Sequence, residues 1–319
     1  MEVLQLPHSV KNYIEDRAQT VPFAILEAAT LELSAHYRAA RESFTVPLRA
    51  QHKAVAYLAT RMPATYAVAV TVLSEIAVHI PAVKSILDLG AGTGAASLAV
   101  QKVFGEETAL TLLDSDSAFF AEAKQLLVGS TFIQTDLPNK TEFPESDLVI
   151  ASYTLGELSD ATRKQVVERA WAASRLGIVI IEPGTTKGWE NVLAVRSQLL
   201  SLGAYLVAPC PHSRECPMVK PDWCHFSQRV ERSSMHRKLK QGTMGYEDEK
   251  YSFVVFSRQT VSAATGRIVR RPVYHPGLVE LEVCQVESIE KMRVTKKNKA
   301  QYRAARDVQW GSAWIVSGN

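Results

Sequence analysis

The segment from Ile86 to Gly94, which reads Ile-Leu-Asp-Leu-Gly-Ala-Gly-Thr-Gly, constrains the fold of this chain more than any other. Its apolar start predicts a short buried strand over residues 85–89, and residues 95–104 have the spacing of a helix. Glycines between a strand and a helix let the backbone turn sharply and approach a ligand, while the start of the helix presents unpaired N–H groups. This arrangement predicts an α/β fold with a parallel sheet and a ligand site at the loop.

The rest of the central region supports this prediction, because expected strands alternate with expected helices. The strands are predicted at 108–113, 131–135, 147–152 and 177–182, and the helices at 117–127, 161–174 and 189–200. Such alternation is typical of βαβ units in a parallel sheet. Two further strands, 204–207 and 251–257, are expected to pair antiparallel at one edge of the sheet.

We predict three regions in the chain. A helical N-terminal block covers 1–80, an α/β domain covers 81–258, and a small basic β module covers 259–319. The α/β domain contains an insertion over 208–250 that has no strong periodicity. An insertion of that length inside a compact domain needs something to organise it.

Charge is distributed unevenly along the chain. The formal net charge is only +3, but residues 86–209 carry nine Lys and Arg against fifteen Asp and Glu, and residues 210–319 carry nineteen against eleven. A basic surface on a small β module suits contact with nucleic-acid phosphates. The alternative is a basic face that is merely solvated.

Two kinds of nucleotide site share the glycine pattern. Gly90-x-Gly92-x-x-Ala95 satisfies the dinucleotide pattern of dehydrogenases. Gly90-x-Gly92-x-Gly94, with Asp88 two residues upstream, resembles the S-adenosylmethionine loop of class I methyltransferases, in which the upstream acid orders the loop. We favour the methyltransferase interpretation, because dehydrogenase loops usually lack that acid.

Three further acidic residues follow predicted strands of the sheet. Asp114 ends the second strand, where an acid can bind ribose hydroxyls. Asp136 follows the third strand, where class I methyltransferases contact the adenine. Glu157 follows the fourth strand and is a weak candidate for a catalytic base, since a solvated Glu is at least as common there.

Four cysteines lie in the last third of the chain: Cys210, Cys216, Cys224 and Cys284. They are too few for the disulfide scaffold of a small secreted domain. Structural zinc usually uses paired Cys-x2–4-Cys knuckles, which are absent, whereas Cys-Pro steps recur in iron–sulfur loops. From the spacing alone, a [4Fe–4S] cluster and a zinc ion remain open, the latter with a histidine such as His212, His225 or His236.

The cysteine region also resembles a known family. The matching residues are Ala208-Pro-Cys-Pro-His212, Glu215-Cys-Pro217, Asp222-Trp-Cys-His-Phe226, Arg232-x3-His236-Arg and Glu247-Asp-Glu-Lys250, with Ala56–Tyr66 upstream and Lys296-Lys297, Tyr302–Arg306 and Trp310-Gly311 downstream. Together they are similar to the ribosomal small-subunit methyltransferase-like family, which includes mitochondrial small-subunit assembly factors and their bacterial relatives. The resemblance covers roughly residues 35–314.

This resemblance implies a class I S-adenosylmethionine-dependent methyltransferase fold, which is Rossmann-like. It implies a [4Fe–4S] cluster on the four cysteines and binding to the small ribosomal subunit and its rRNA. The activity that it implies is methyl transfer to rRNA during small-subunit assembly. The alternatives are a non-catalytic assembly factor and a zinc-bearing small-molecule methyltransferase.

The sequence shows no targeting or membrane signal that we recognise. Its start has neither a basic region followed by an apolar one nor the Arg-rich, acid-poor composition of a mitochondrial transit peptide. The most apolar stretch, 64–83, contains Glu75, His79 and Pro81, so we interpret it as a core helix. We expect a cytoplasmic monomer without membrane contact.

Overall fold

Four helices form the N-terminal part of the chain in the computed structural model, which describes residues 3–37, 48–80, 83–261 and 264–314. They are α1 (His8–Gln19), α2 (Phe23–Tyr37), α3 (Ala50–Thr60) and α4 (Met62–Ile76). Pro63 lies in the first turn of α4, where its missing N–H would be unpaired in any case. Most residues of α4 are buried, as expected of a core helix.

A mixed eight-stranded sheet forms the centre of the molecule. Its elements are β1 (Ser85–Leu89), α5 (Ala95–Phe104), β2 (Ala109–Asp114), α6 (Ser117–Leu126), β3 (Thr131–Gln134), β4 (Ser146–Ser152), α7 (Asp160–Ala173), β5 (Ser174–Pro183), α8 (Thr186–Ser201), β6 (Tyr205–Ala208), β7 (Phe226–Glu231), α9 (Ser234–Leu239) and β8 (Tyr246–Ser257). The strand order is β3-β2-β1-β4-β5-β8-β6, with β7 also paired to β8.

The first five strands are parallel, and β8 lies antiparallel between β5 and β6. From β1 the chain continues to β2 on one side, whereas from β4 it continues to β5 on the other side. A crevice therefore forms between the carboxyl ends of β1 and β4. This is the class I methyltransferase sheet, which confirms the predicted fold. The expected antiparallel pairing of the last two strands is also confirmed, with Tyr205 opposite Ser257.

The central strands are continuous apolar runs because helices cover both faces of the sheet. Val149 and Ile150 of β4 are completely buried, and so are Ile178 and Val179 of β5. One core cluster joins the sheet to the N-terminal helices and α5, and the other joins it to α7 and α8. This covered sheet holds the glycine loop at the carboxyl end of the central strand β1.

The insertion has more regular structure than the sequence indicates. β7 forms an antiparallel pair with the first half of β8, in which Phe226 lies opposite Tyr251. Ion pairs cross this pair from Arg229 to Asp248, at 2.8 Å. In β7, the polar Gln228 is buried together with Phe226 and Val230. The strand therefore lacks the usual sequence pattern of alternating apolar and polar residues.

The last part of the described chain forms a separate five-stranded sheet. It comprises β9 (Gly266–Ile268), β10 (Val273–His275), β11 (Leu278–Cys284), β12 (Ile289–Thr295), α10 (Lys299–Asp307) and β13 (Ala313–Trp314). Ile268, Leu281 and Val294 are among the residues of its own small core. Arg267 fastens the sheet to the rest of the molecule, because its buried guanidinium pairs with Glu75 at 2.5 Å.

Within residues 3–37, 48–80, 83–261 and 264–314, none of the helices combines the length and apolar character needed to cross a bilayer.

Candidate functional site

A cavity of about 420 Å³ opens at the carboxyl ends of β1, β2 and β4. The structure brings all but one of the predicted nucleotide-site residues to this cavity, which we call the cofactor cavity. The residues that line it are Asp88, Gly90, Gly92, Asp114, Asp136 and Glu157. Gly94 does not line it, because it lies behind the loop at the start of α5.

The glycine loop needs glycine for its backbone conformation. Gly90, Gly92 and Gly94 have φ values of +67°, +54° and +83°, which side chains disfavour. A Cβ atom at Gly90 would also overlap the side chain of Thr154, and one at Gly94 would lie 2.5 Å from Leu127 Cδ1. The loop is therefore fixed both by its conformation and by close packing.

Asp114 holds the glycine loop by accepting backbone hydrogen bonds. Its Oδ2 accepts the Gly92 N–H at 2.8 Å, and its Oδ1 accepts the Asp116 N–H at the same distance. Burial raises the pKa of this carboxyl group, while the two backbone donors lower it. The acid that was expected to face ribose thus also orders the loop.

Asp88 is almost completely buried, at 1% exposure, and lines the floor of the cofactor cavity. Its Oδ2 accepts a hydrogen bond of 2.7 Å from the Ser97 hydroxyl in α5. Burial raises the pKa of the Asp88 carboxyl to about 7. Asp88 therefore ties β1 to the helix that follows the loop, rather than donating or accepting within the loop itself.

Asp136 and Glu157 both line the cavity, and each lies at a short 3-10 turn. Asp136 precedes the turn Leu137–Asn139, and its Oδ2 accepts a hydrogen bond of 3.1 Å from Asn139 Nδ2. Glu157 ends the turn Leu155–Glu157 on the rim. Both predicted positions thus face the space in which a ligand would lie.

Helices α3 and α4 of the N-terminal part also line the cavity, which the sequence did not predict. Lys53 and Tyr57 of α3 and Thr65 of α4 contribute to its wall. The Tyr57 ring meets the Phe119 ring of α6 edge to face, with centroids 5.3 Å apart. No local pattern could have revealed these residues, because they are far from the glycine loop in the sequence.

The rim of the cavity contains a residue in an uncommon backbone conformation. Tyr153 has a φ of +59°, and its N–H donates to the Ile181 carbonyl at 2.7 Å. Its hydroxyl donates to Glu249 Oε1 at 3.3 Å, and Glu249 pairs with Arg61. Non-glycine residues in this conformation are often found at functional sites.

Behind the rim lies Glu182, which is 1% exposed. Its carboxylate accepts the Leu155 N–H at 3.0 Å and also a backbone hydrogen bond from Gly156. Burial raises the pKa of Glu182 to about 7. Glu182 therefore anchors the turn that carries Glu157.

The four cysteines meet at a second, smaller cavity of about 40 Å³, which we call the cysteine cavity. Cys210, Cys216 and Cys224 reach it from the long loop between β6 and β7, and Cys284 reaches it from β11. Its other walls are mainly apolar and include Trp189. Residues distant in the sequence, from one loop and from a strand of the second sheet, thus converge on one apolar site.

Buried positive charge surrounds the cysteine cavity. Burial raises the pKa of the Cys284 thiol to about 12 and also raises the pKa of Cys210 and Cys224, while nearby Arg196 and Arg267 act in the opposite direction on Cys210 and Cys284. Two guanidinium groups beside four thiols favour an anionic, thiolate-bound group at this position.

Only one of the three candidate histidines lies at the cysteine cavity. His212 lines it, its Nε2 is 3.8 Å from Cys284 Sγ, and its buried Nδ1 has no hydrogen-bond partner among the described residues. His225 stacks on Trp223, and His236 lies beside Glu247, so neither faces the cavity.

The side chains at the cysteine cavity are not arranged around a common metal position. Over the described part of the chain, no three His, Cys, Asp or Glu side chains form a group that could hold a metal ion. The donor set itself, four thiols in a small apolar cavity, fits an iron–sulfur cluster in its chemistry.

Comparison with known proteins identifies relatives over most of the chain. A family model described as mitochondrial small ribosomal subunit Rsm22 matches residues 51–315. The human mitochondrial ribosome assembly protein METTL17 is 26% identical over 287 residues, which cover 80% of this chain and 61% of that protein. The mitochondrial Rsm22-cox11 tandem protein 2 of Schizosaccharomyces pombe is 25% identical and covers 83% of this chain and 43% of that protein. The chain thus spans less than two thirds of either relative.

Solved structures also resemble the chain. Magnesium protoporphyrin IX methyltransferase from Synechocystis, with bound S-adenosylmethionine, is 13% identical with a TM-score of 0.40, covering 68% of this chain and 87% of that one. An O-methyltransferase family protein from Burkholderia thailandensis is 12% identical with a TM-score of 0.43, covering 66% and 60%. Because both TM-scores are low, we identify the fold from the strand order of the chain itself.

The predicted cytoplasmic location is wrong. The matching family and both relatives are described as mitochondrial, which points to the mitochondrion instead. The prediction rested on the lack of a recognisable targeting segment in the given sequence, and that lack does not distinguish between compartments.

Proposed function

The chain belongs to the mitochondrial small ribosomal subunit Rsm22 family, and from this premise we propose that it is a small-ribosomal-subunit assembly factor that binds S-adenosylmethionine and carries a [4Fe–4S] cluster. The observation that carries the proposal is the pairing of two sites in one chain. A glycine-loop cavity lies at the crevice of the sheet, and four cysteines meet at a second cavity.

The residues of the cofactor cavity fit S-adenosylmethionine. The glycine loop leaves room for a ligand to approach the backbone, and the buried Ser152 hydroxyl on the cavity wall has no hydrogen-bond partner among the described residues. We propose that Gly90, Gly92 and Asp114 hold the cofactor's ribose side and that Asp136 faces its adenine. Asp88 and Gly94 keep the loop and α5 in position.

For the cysteine cavity, we propose that Cys210, Cys216, Cys224 and Cys284 bind the [4Fe–4S] cluster. When bound, such a cluster supplies four metal–thiolate bonds that join the loop to β11. Arg196 supports the loop from behind, because its guanidinium donates to the His212 carbonyl at 2.8 Å and to the Arg214 carbonyl at 2.7 Å. We propose that the chain has the three predicted regions, 1–80, 81–258 and 259–319, and that the cluster joins the last two at this cavity.

Anaerobic purification tests the cluster proposal. We expect an absorbance shoulder near ~400 nm, with iron and sulfide in equal amounts of about four per chain. Stoichiometric zinc without the shoulder would overturn the cluster and support the zinc alternative.

Titration calorimetry with S-adenosylmethionine tests the cofactor proposal. We expect binding at one site per chain, together with co-sedimentation of the chain with immature small subunits. A chain that sediments with subunits but binds neither S-adenosylmethionine nor S-adenosylhomocysteine would overturn the cofactor half and leave the assembly half intact.

A second candidate function is methyl transfer to an rRNA base, which the position of Glu157 on the open rim favours. In that reaction the cavity positions the two reactants, and Glu157 accepts the proton that the acceptor atom releases. Tritium transfer from labelled S-adenosylmethionine to small subunits of a deletion strain tests it. Incorporation that an E157Q variant lacks would support this function, and no incorporation with tight cofactor binding would exclude it.

A further inference from the structure

The basic residues of the last third of the chain fall into two groups. Of the nineteen Lys and Arg after residue 209, ten pair with an acidic side chain. Arg293, for example, pairs with Glu280, and Lys291 with Glu282. An exposed cation that is already paired contributes little net field to a polyanionic partner.

Five of the nine other cations lie in one short stretch. Residues 296–306 contain five Lys and Arg and no acidic residue. All five are exposed, and none forms an ion pair with any residue that the structure describes. They are Lys296, Lys297, Lys299, Arg303 and Arg306.

Helix α10 arranges these cations in a row. Lys299, Arg303 and Arg306 lie at positions i, i+4 and i+7, which share one face of a helix. The opposite face packs Ala305, which is fully buried, into the core of the small sheet. The cationic face is thus held outward by the packing of the apolar one.

Beside this row lies an open groove of about 380 Å³. Lys296 lines it from the preceding turn, and Tyr302 and Asp307 also contribute to its wall. Asp307 is the single acidic side chain among its lining residues, against four cations.

We propose that this groove and the row Lys299–Arg303–Arg306 form the surface on which the chain binds the sugar–phosphate backbone of RNA. The row extends over ~10 Å along the helix axis. Successive phosphates of a nucleic-acid strand are ~3.4 Å apart along its axis, so the row spans about three such steps. The inference rests on the proposed function, because it names the part of the molecule that contacts the subunit's RNA.

The observations favour RNA over an anionic membrane. A helix that lies on a membrane needs a broad exposed apolar face beside its basic one. The apolar side of α10 is used up in the small core, so only its polar side faces solvent. Phosphate contacts of this kind are independent of sequence and strongly dependent on salt.

The test compares two double variants of the full chain, each purified without removing any bound metal or cofactor. K299A/R303A removes two unpaired cations, and K291A/R293A removes two paired ones from the neighbouring strand, so the net charge falls equally. The probe is a blunt RNA duplex of about two helical turns, titrated between ~50 and ~200 mM salt. A charge-conserving K299R/R303K variant reports whether the helix tolerates substitution.

We expect K299A/R303A to weaken binding at least ~10-fold and to lower the slope of log K against log salt by roughly two, while K291A/R293A changes affinity less than ~3-fold and leaves the slope unchanged. K299R/R303K should bind like the wild type. Equal losses in the two alanine variants would overturn the proposal, since net charge alone would then explain them. The proposal would also be overturned if the wild type bound vesicles of phosphatidylcholine with one-fifth phosphatidylserine in preference to the RNA duplex.

If the wild type binds small subunits and K299A/R303A binds them equally well, this inference fails and the proposed function stands. If the wild type binds no subunits, the proposed function fails.

Discussion

The cofactor cavity and the cysteine cavity are built in opposite ways. The cofactor cavity is large and mixes polar with apolar walls, and its key contacts are backbone N–H groups held by a carboxylate, as between Gly92 and Asp114. The cysteine cavity is small and apolar, and its key groups are side chains from one loop of the main sheet and one strand of the second sheet. The glycine loop of the cofactor cavity is therefore encoded by a contiguous motif. The cysteine cavity instead depends on the packing of the whole C-terminal part of the chain.

The largest expected effect is at the cysteine cavity, where C284S removes one of the four proposed cluster ligands. Because metal binding and folding are coupled, we expect loss of iron and a fall in the free energy of unfolding of at least ~3 kcal/mol. Thermal unfolding and iron analysis measure this. The matched control is S252A, which lines the same cavity and removes only a hydrogen bond of 2.8 Å to the Cys224 carbonyl, so it should lose about 1 kcal/mol. Equal stability of C284S and the wild type, with full iron, would contradict the comparison.

A smaller effect on stability, but a large one on binding, is expected for G90A. The substitution places a side chain at a φ of +67° and against Thr154, so the loop must shift away from the ligand. We expect S-adenosylmethionine affinity to fall at least ~30-fold, which is about 2 kcal/mol.

Gly105 provides the control for that prediction. It also has a positive φ, of +106°, but nothing lies within 4 Å of the place where its Cβ would be. G105A should therefore lose about 1 kcal/mol of stability through backbone strain and keep its affinity for the cofactor. A G105A variant that lost affinity as G90A does would show that the loop effect is not local.

A further expected effect is the pH dependence of stability at Asp88. Its pKa is raised from 3.8 to about 7 by burial, so the folded state holds its proton more tightly than the unfolded state does. This contribution to stability is complete below pH 3.8 and is lost as the pH rises to about 7. D88N should remove it. Chemical denaturation of both proteins across this range tests the sign: the wild type should lose stability relative to D88N as pH rises, and a gain would contradict the assignment.

The sequence predicted the central fold well because the signals there are local. The strand Ser85–Leu89 and the helix Ala95–Phe104 begin and end where the apolar runs and glycines indicate. It missed β7, whose apolar residues Phe226 and Val230 are separated by the polar run 227–229, and α10, whose apolar face is little more than Ala305 and Tyr302. β7 is stabilised by pairing with β8, and α10 by packing on β11 and β12.

The candidate sites differ in the same way. Asp88, Asp114 and Asp136 could be placed because each lies at or just after the carboxyl end of a strand of a parallel sheet. Tyr57 and Tyr153 could not, since one comes from a distant helix and the other is marked only by its backbone conformation. Likewise, the number of cysteines suggested one cluster, but only the packing of β11 shows that Cys284 reaches the other three.

The most direct test of the account is the level of mature small subunits in a deletion strain that expresses the wild type, G90A, C284S or G105A chain. We predict that the wild type and G105A restore the subunit peak in a sucrose gradient. G90A and C284S, expressed at matched levels, should leave it depleted. Full restoration by both G90A and C284S would contradict the claim that the two cavities serve small-subunit assembly.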